Sequence, residues 1–204
     1  MSKFFIGVSG AQGAGKSSLL IELQDRGWAI DKFRVSRAVQ AELGWESLDR
    51  VMESPETMMA FQEEVFRQKY LNDLSIKAFA SQSVVLTERT FADICAYTYL
   101  WTHRFLDGGQ ISGYDAHTFL VSYSRKCALA QAEIYDGVLM LPMMDHVVWE
   151  ADANRADLKD VTEVFQRIEH FMSQGEPSTV QRLVITAKSI QERADQVQTF
   201  LRSL

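Results

Sequence analysis

Only two cysteines occur in the 204 residues, Cys95 and Cys127, and neither stands at metal-ligand spacing. They read as reduced thiols packed in helical segments. No apolar run approaches the roughly 20 residues that a membrane-spanning helix needs. The N-terminus is expected to run almost directly into a strand, so no signal peptide is expected. Positive charge is also short: 21 Lys and Arg stand against 27 Asp and Glu, a net charge of −6. That balance argues against broad, unspecific nucleic-acid binding, although a local basic groove stays open. No repeat, low-complexity tract or linker divides the chain. These absences lead to the expectation of one soluble, cytoplasmic domain over 1–204. The 47% hydrophobic content suffices for a sizeable core.

What is present begins at Gly10. Gly10-Ala11-Gln12-Gly13-Ala14-Gly15-Lys16-Ser17 fits Gly-x-x-x-x-Gly-Lys-[Ser/Thr], the phosphate-cradling loop. The apolar run Phe4–Val8 before it is of strand type, and the spacing of Ser18–Gln24 after it suits a helix. In that geometry backbone N–H groups and a helix N-terminus converge on phosphate oxygens. Gly10, Gly13 and Gly15 leave room for the phosphates, and Lys16 is a flexible point charge for the outer ones. The Ser17 hydroxyl suits Mg²⁺. The expected ATP contacts are Gly10, Gly13, Ala14, Gly15, Lys16, Ser17 and Ser18.

Downstream, Trp28–Ile30 predicts a second strand ending at Asp31. Residues 35–44 read as a helix capped by Ser36 and closed by Gly44, with Arg37 in its first turn. Arg37, with Arg34 just before it, either holds an anion at that helix start or lies solvated on the surface. Ser54-Pro55 opens a long helix to about Ala80. On it Phe61 and Gln62 suit either stacking and base-edge recognition or, for Gln62, a water-facing boundary. Ser83–Thr87 is a third strand running into Glu88-Arg89-Thr90 and Asp93. Charged residues at such a strand end either meet a ligand or pair with one another. Glu88 there suits Mg²⁺ or a base, and Arg89 a transferring phosphoryl group.

A helix is expected from Asp93 to His103, then a loop over Phe105–Tyr114 and a helix capped by Asp115 to about Glu133. Tyr135–Leu141 is a fourth strand ended by Pro142. An irregular polar stretch from Met143 to Asp160 suits a lid, with Arg155 its single arginine. A helix over Val161–Met172, a fifth strand over Arg182–Thr186 and a last helix opened by the Ser189–Glu192 capping box complete the chain. The alternation predicts an α/β fold, a parallel sheet with helices on both faces.

Taken together, the glycine loop, Glu88-Arg89-Thr90 and the Arg155 segment make the chain resemble P-loop nucleoside and nucleotide kinases. It is most similar to the small bacterial and phage-type kinases that include ribosylnicotinamide and deoxynucleoside monophosphate kinases. Tyr135-Asp136, the Glu150–Asp157 segment and Ile185-Thr186-Ala187-Lys188 add to the likeness, and Phe61-Gln62 resembles the base-binding Phe-Gln pair of deoxynucleoside kinases. The resemblance implies a three-layer P-loop NTPase fold with a five-stranded sheet in the order 2-3-1-4-5. It implies substrate-binding helices over about 35–81 and a lid over about 143–160.

It also implies ATP with Mg²⁺ held by Ser17 and Glu88, catalysis by Lys16, Glu88, Arg89 and Arg155, and an acceptor held by Asp31, Arg34, Arg37, Phe61, Gln62, Arg89 and Asp93. A homodimer is compatible with it; a membrane partner is not expected, nor is nucleic acid. Two departures matter. The family's nucleoside kinases carry a glutamate after strand two where this chain has Asp31, and their lids are arginine-rich. With Ser36-Arg37 resembling a monophosphate-gripping start, a nucleoside monophosphate is the expected acceptor. A nucleoside kinase using Asp31 as base, a P-loop ATPase or switch, and a kinase acting on DNA are the alternatives.

Overall fold

The computed structural model describes residues 3–143, 158–174 and 180–204. Five strands, β1 (Phe4–Ser9), β2 (Ala29–Asp31), β3 (Val84–Glu88), β4 (Gly137–Met140) and β5 (Gln181–Val184), form one sheet in the order β2-β3-β1-β4-β5. Every pairing is parallel. The α/β fold and strand order expected from the sequence are both present.

Parallel strands need crossovers, and helices supply them on both faces. Side chains alternate along each strand, so β1 sends Phe5 to one core and Ile6 and Val8 to the other. The second core is closed by α1 (Lys16–Asp25) and α7 (Ile190–Ser203), through Leu19, Leu20, Leu23, Ala194, Val197 and Leu201. The first is larger. It gathers α2 (Val35–Glu42), α3 (Pro55–Phe79), α4 (Phe91–Asp107), α5 (Gly113–Ile134) and α6 (Leu158–Gln174). Gly7 lies where β1 passes beneath the start of α4. A Cβ there would stand 2.5 Å from the Thr90 methyl group, so the close approach requires glycine.

Several boundaries differ from the sequence reading. Ser36 does not cap α2: the helix begins at Val35, and Arg34 occupies the cap position without a side-chain hydrogen bond. Phe105 is buried and belongs to α4, so the loop expected over Phe105–Tyr114 shrinks to the few residues around Gly109, whose φ is +67°. Ser112, not Asp115, caps α5 by accepting the Asp115 N–H. The polar stretch expected to run to Asp160 gives way to helix at Leu158, and Asp160 pairs with Arg104. Two expectations were met by geometry. Gly27 closes α1 with φ +90°, and Ser54 caps α3 with Pro55 at its first position.

Candidate functional site

The carboxyl ends of the strands place the chemistry. In register, Asp31 of β2 stands beside Thr87 of β3, and Glu88 beside Val8 of β1, just before the glycine loop. The loop turns on Gly10, Gly13 and Gly15, with φ of +150°, +83° and +88°. A Cβ on Gly10 would lie 2.6 Å from the Leu141 carbonyl oxygen. Gly15 is the left-handed N-cap of α1, and the first turn carries no acidic side chain. The opening amides of a helix have no intrahelical acceptor, so Lys16, Ser17 and Ser18 present N–H groups and positive dipole to an anion.

The Lys16 side chain is 5% exposed and folds back over the loop, its Nζ donating to the Gly10 and Ala11 carbonyls at 2.5 and 2.8 Å. Burial first, and then the Arg89 charge, push its pKa down to about 8, against the pull of Asp93 and Glu88. A lysine lowered in the folded state costs stability wherever it must stay charged. That cost is complete below about pH 8 and fades towards the ordinary value, because the native chain has then shed a proton that the unfolded chain still holds. Wild type should therefore gain about 2 kcal/mol relative to Lys16→Met between about pH 7.5 and about pH 9.5. Urea unfolding of both proteins measures this, and parallel pH slopes would contradict it.

Ser17 Oγ donates to Glu88 Oε1 at 2.9 Å. A hydroxyl and a carboxylate at the mouth of the loop are hard oxygen ligands of the kind Mg²⁺ takes. Arg89 follows with φ of +65°, a conformation that costs a non-glycine residue of order 1–3 kcal/mol. Its N–H donates to the Val8 carbonyl at 2.9 Å, and its guanidinium lies 5.1 Å from the centre of the Tyr97 ring. Burial works against the Arg89 charge, yet Tyr97 and Asp93 outweigh it and raise the pKa. Asp93 is not open to a ligand. It is fully buried, with Oδ2 accepting the Thr90 N–H and hydroxyl and Oδ1 accepting the Gly10 N–H. It is a brace between the glycine loop and the start of α4.

The remaining expected contacts fall in different surroundings. Asp31 is half-buried at the tip of β2. Arg34 and Arg37 are exposed at the start of α2, and Arg37 Nη1 donates to Gln40 Oε1 at 2.9 Å. Phe61 is a core ring, 1% exposed, stacked on Trp45 at 5.5 Å and tilted against Trp101 at 6.2 Å, so neither face is free for a base. Gln62 is buried rather than facing water. Arg155 and residues 144–157 of the expected lid lie outside the described residues.

Sequence reading missed two groups of residues. Arg193 on α7 is 6% exposed, with Nη1 donating to the Ala14 carbonyl at 3.1 Å and Nε to the Ala187 carbonyl at 3.0 Å. It clamps the glycine loop from behind. Lys69 and Asp73 on α3 are both fully buried, and Tyr135 Oη donates to Asp73 at 2.6 Å. Their signal was in the sequence: a Lys and an Asp four residues apart continue the buried stripe of Met58, Phe61 and Val65.

A family model described as "AAA domain" matches residues 5–193. No curated protein matches the chain. Among solved structures, a deoxyadenosine kinase from M. mycoides, with products dCMP and a flexible dCDP bound, aligns with a TM-score of 0.66 at 15% identity. That alignment covers 98% of this chain and 100% of that one. The same enzyme with bound dATP gives 0.64 at 15% identity, over 98% and 99% of the two chains. NadR protein in complex with NR gives 0.66 at 14% identity, over 98% of this chain; the match spans about half, 51%, of the NadR chain. At such identities the likeness is one of fold.

Proposed function

This chain belongs to the AAA domain family, and on that premise we propose that it is an ATP-dependent kinase whose acceptor is a nucleoside monophosphate. The observation that carries the proposal is the meeting of Lys16, Ser17, Glu88 and Arg89 around the glycine loop, at the carboxyl edge of the sheet. The fold neighbours support it, being structures of a deoxyadenosine kinase with nucleotides and of NadR with NR. Phosphoryl transfer asks a protein for positioning and charge neutralisation more than for covalent chemistry. The first-turn amides of α1 and Lys16 would hold the triphosphate. Arg89 would neutralise the transferring group, joined by Arg155 from its own segment. Arg34 and Arg37 would grip the acceptor phosphate at the start of α2.

Ser17 and Glu88 would hold Mg²⁺, which would offset phosphate charge. Among the described residues no group of three or more His, Cys, Asp or Glu could hold a metal. Two oxygen ligands from the protein, completed by phosphates and water, suit Mg²⁺. No helix among them is long and apolar enough to cross a membrane.

The test is ADP release with Mg²⁺-ATP across nucleosides and their monophosphates. Fast turnover with one or two monophosphates is expected. Turnover confined to nucleosides would make a nucleoside hydroxyl the acceptor, with Asp31 as its base, and ADP release indifferent to every acceptor would leave an ATPase or switch.

A further inference from the structure

A fully buried ion pair is an expensive feature, because apolar side chains of similar volume often serve stability as well or better. Lys69 and Asp73 form such a pair, and they face the functional end of the sheet. Lys69 Nζ lies 3.0 and 2.8 Å from the two Asp73 carboxylate oxygens and 3.1 Å from Thr87 Oγ1. An ammonium group only donates. Thr87 must therefore accept from Lys69, which leaves its single proton to donate elsewhere. It goes to Asp31 Oδ2, at 2.9 Å. Asn72 Nδ2 donates to the same oxygen at 3.0 Å and to Asp73 Oδ1 at 3.2 Å. The Phe33 N–H meets Asp31 Oδ1 at 3.1 Å.

Donors from β3, from α3 and from the turn after β2 thus converge on one carboxylate. Oδ2 is doubly engaged within the protein. Oδ1 carries one internal bond and, on a half-buried residue, retains acceptor capacity for a ligand. We infer that Lys69, Thr87 and Asn72 are positioning residues that aim Asp31 Oδ1 at a hydroxyl of the acceptor's sugar. The proposal rests on the kinase reading above. A carboxylate repels phosphate, so Asp31 takes the neutral end of the acceptor, while Arg34 and Arg37 take its anionic end. Orientation, not contact, is the contribution of Lys69 and Thr87, since both side chains are completely buried.

Thr87→Val keeps the branched shape and removes the relay, whereas Thr87→Ser keeps the hydroxyl. With the acceptor found for wild type, Thr87→Val should lower kcat/KM for that acceptor about tenfold and leave KM for ATP within about twofold. Thr87→Ser should recover most of the loss. An acceptor analogue without the sugar hydroxyl should be insensitive to Thr87→Val. A Thr87→Val protein with a lower thermal midpoint but a wild-type kcat/KM for the acceptor would overturn the inference, as would equal rises in both KM values. If wild type phosphorylates no acceptor, the kinase reading itself fails, and this shows before any variant is made.

Discussion

Replacing Lys16 by alanine should lower the rate of the proposed phosphoryl transfer about 10²–10³-fold, the usual cost of deleting one charge-stabilising group from a transition state. The loss should appear in kcat as well as in kcat/KM, because charge on the transferring phosphoryl is greatest at the transition state. Unfolding is not the cause to expect. Lys16 is held with its pKa pushed down to about 8, chiefly by burial, so its removal relieves a desolvation cost. Steady-state rates with the preferred acceptor, beside a thermal melt, decide the matter. Turnover within about threefold of wild type would take Lys16 out of the reaction.

The largest stability effect belongs to Lys69. Lys69→Met leaves Asp73 buried without its counter-charge, and breaking a buried pair on one side costs about 3–5 kcal/mol. For a chain of this size that corresponds to a fall of roughly 10 °C in thermal midpoint. The companion variant Lys69→Met with Asp73→Asn removes both charges. It keeps an acceptor for the Tyr135 hydroxyl, which now donates to Asp73 at 2.6 Å. It should regain at least half of the loss. Denaturant titration of the three proteins measures this. A single-variant loss below about 1 kcal/mol would mean that water reaches the pair and screens it.

The legible part of this molecule was local. The loop from Gly10 to Ser17 announces itself through spacing, the strands through short β-branched and apolar runs, and α3 through Ser54-Pro55. The sheet order was legible only through resemblance, since nothing in a run of residues says which strand lies beside which. The misses share a physical origin. Asp93 carried the right charge in the right place for a ligand, but the Gly10 N–H, 83 residues away, competes for it. Arg193 resembles any polar residue of a last helix until Ala14, 179 residues earlier, supplies its acceptor. Phe61 matched a base-binding pattern, yet its ring is buried, stacked on Trp45 and tilted against Trp101. At α5 the error was one of competing caps. Ser112 stands three residues before Asp115 in the spacing that lets a serine oxygen take the later N–H, and that arrangement won.

The place of β1 in the sheet bears on how the chain acquires its shape. It lies at the centre, between β3 and β4, although it comes first in sequence. Its partners are about 80 and about 130 residues downstream, and such distant pairings must overcome a large loop-closure entropy before they return any contact energy. A nascent chain therefore carries its glycine loop without the strands that hold it until β4 has been made. The loop takes its final form only when β3 and β4 have docked and Arg193 has reached Ala14. The triphosphate grip proposed for the loop is thus completed late in folding, because its residues precede β3, β4 and Arg193 in the chain.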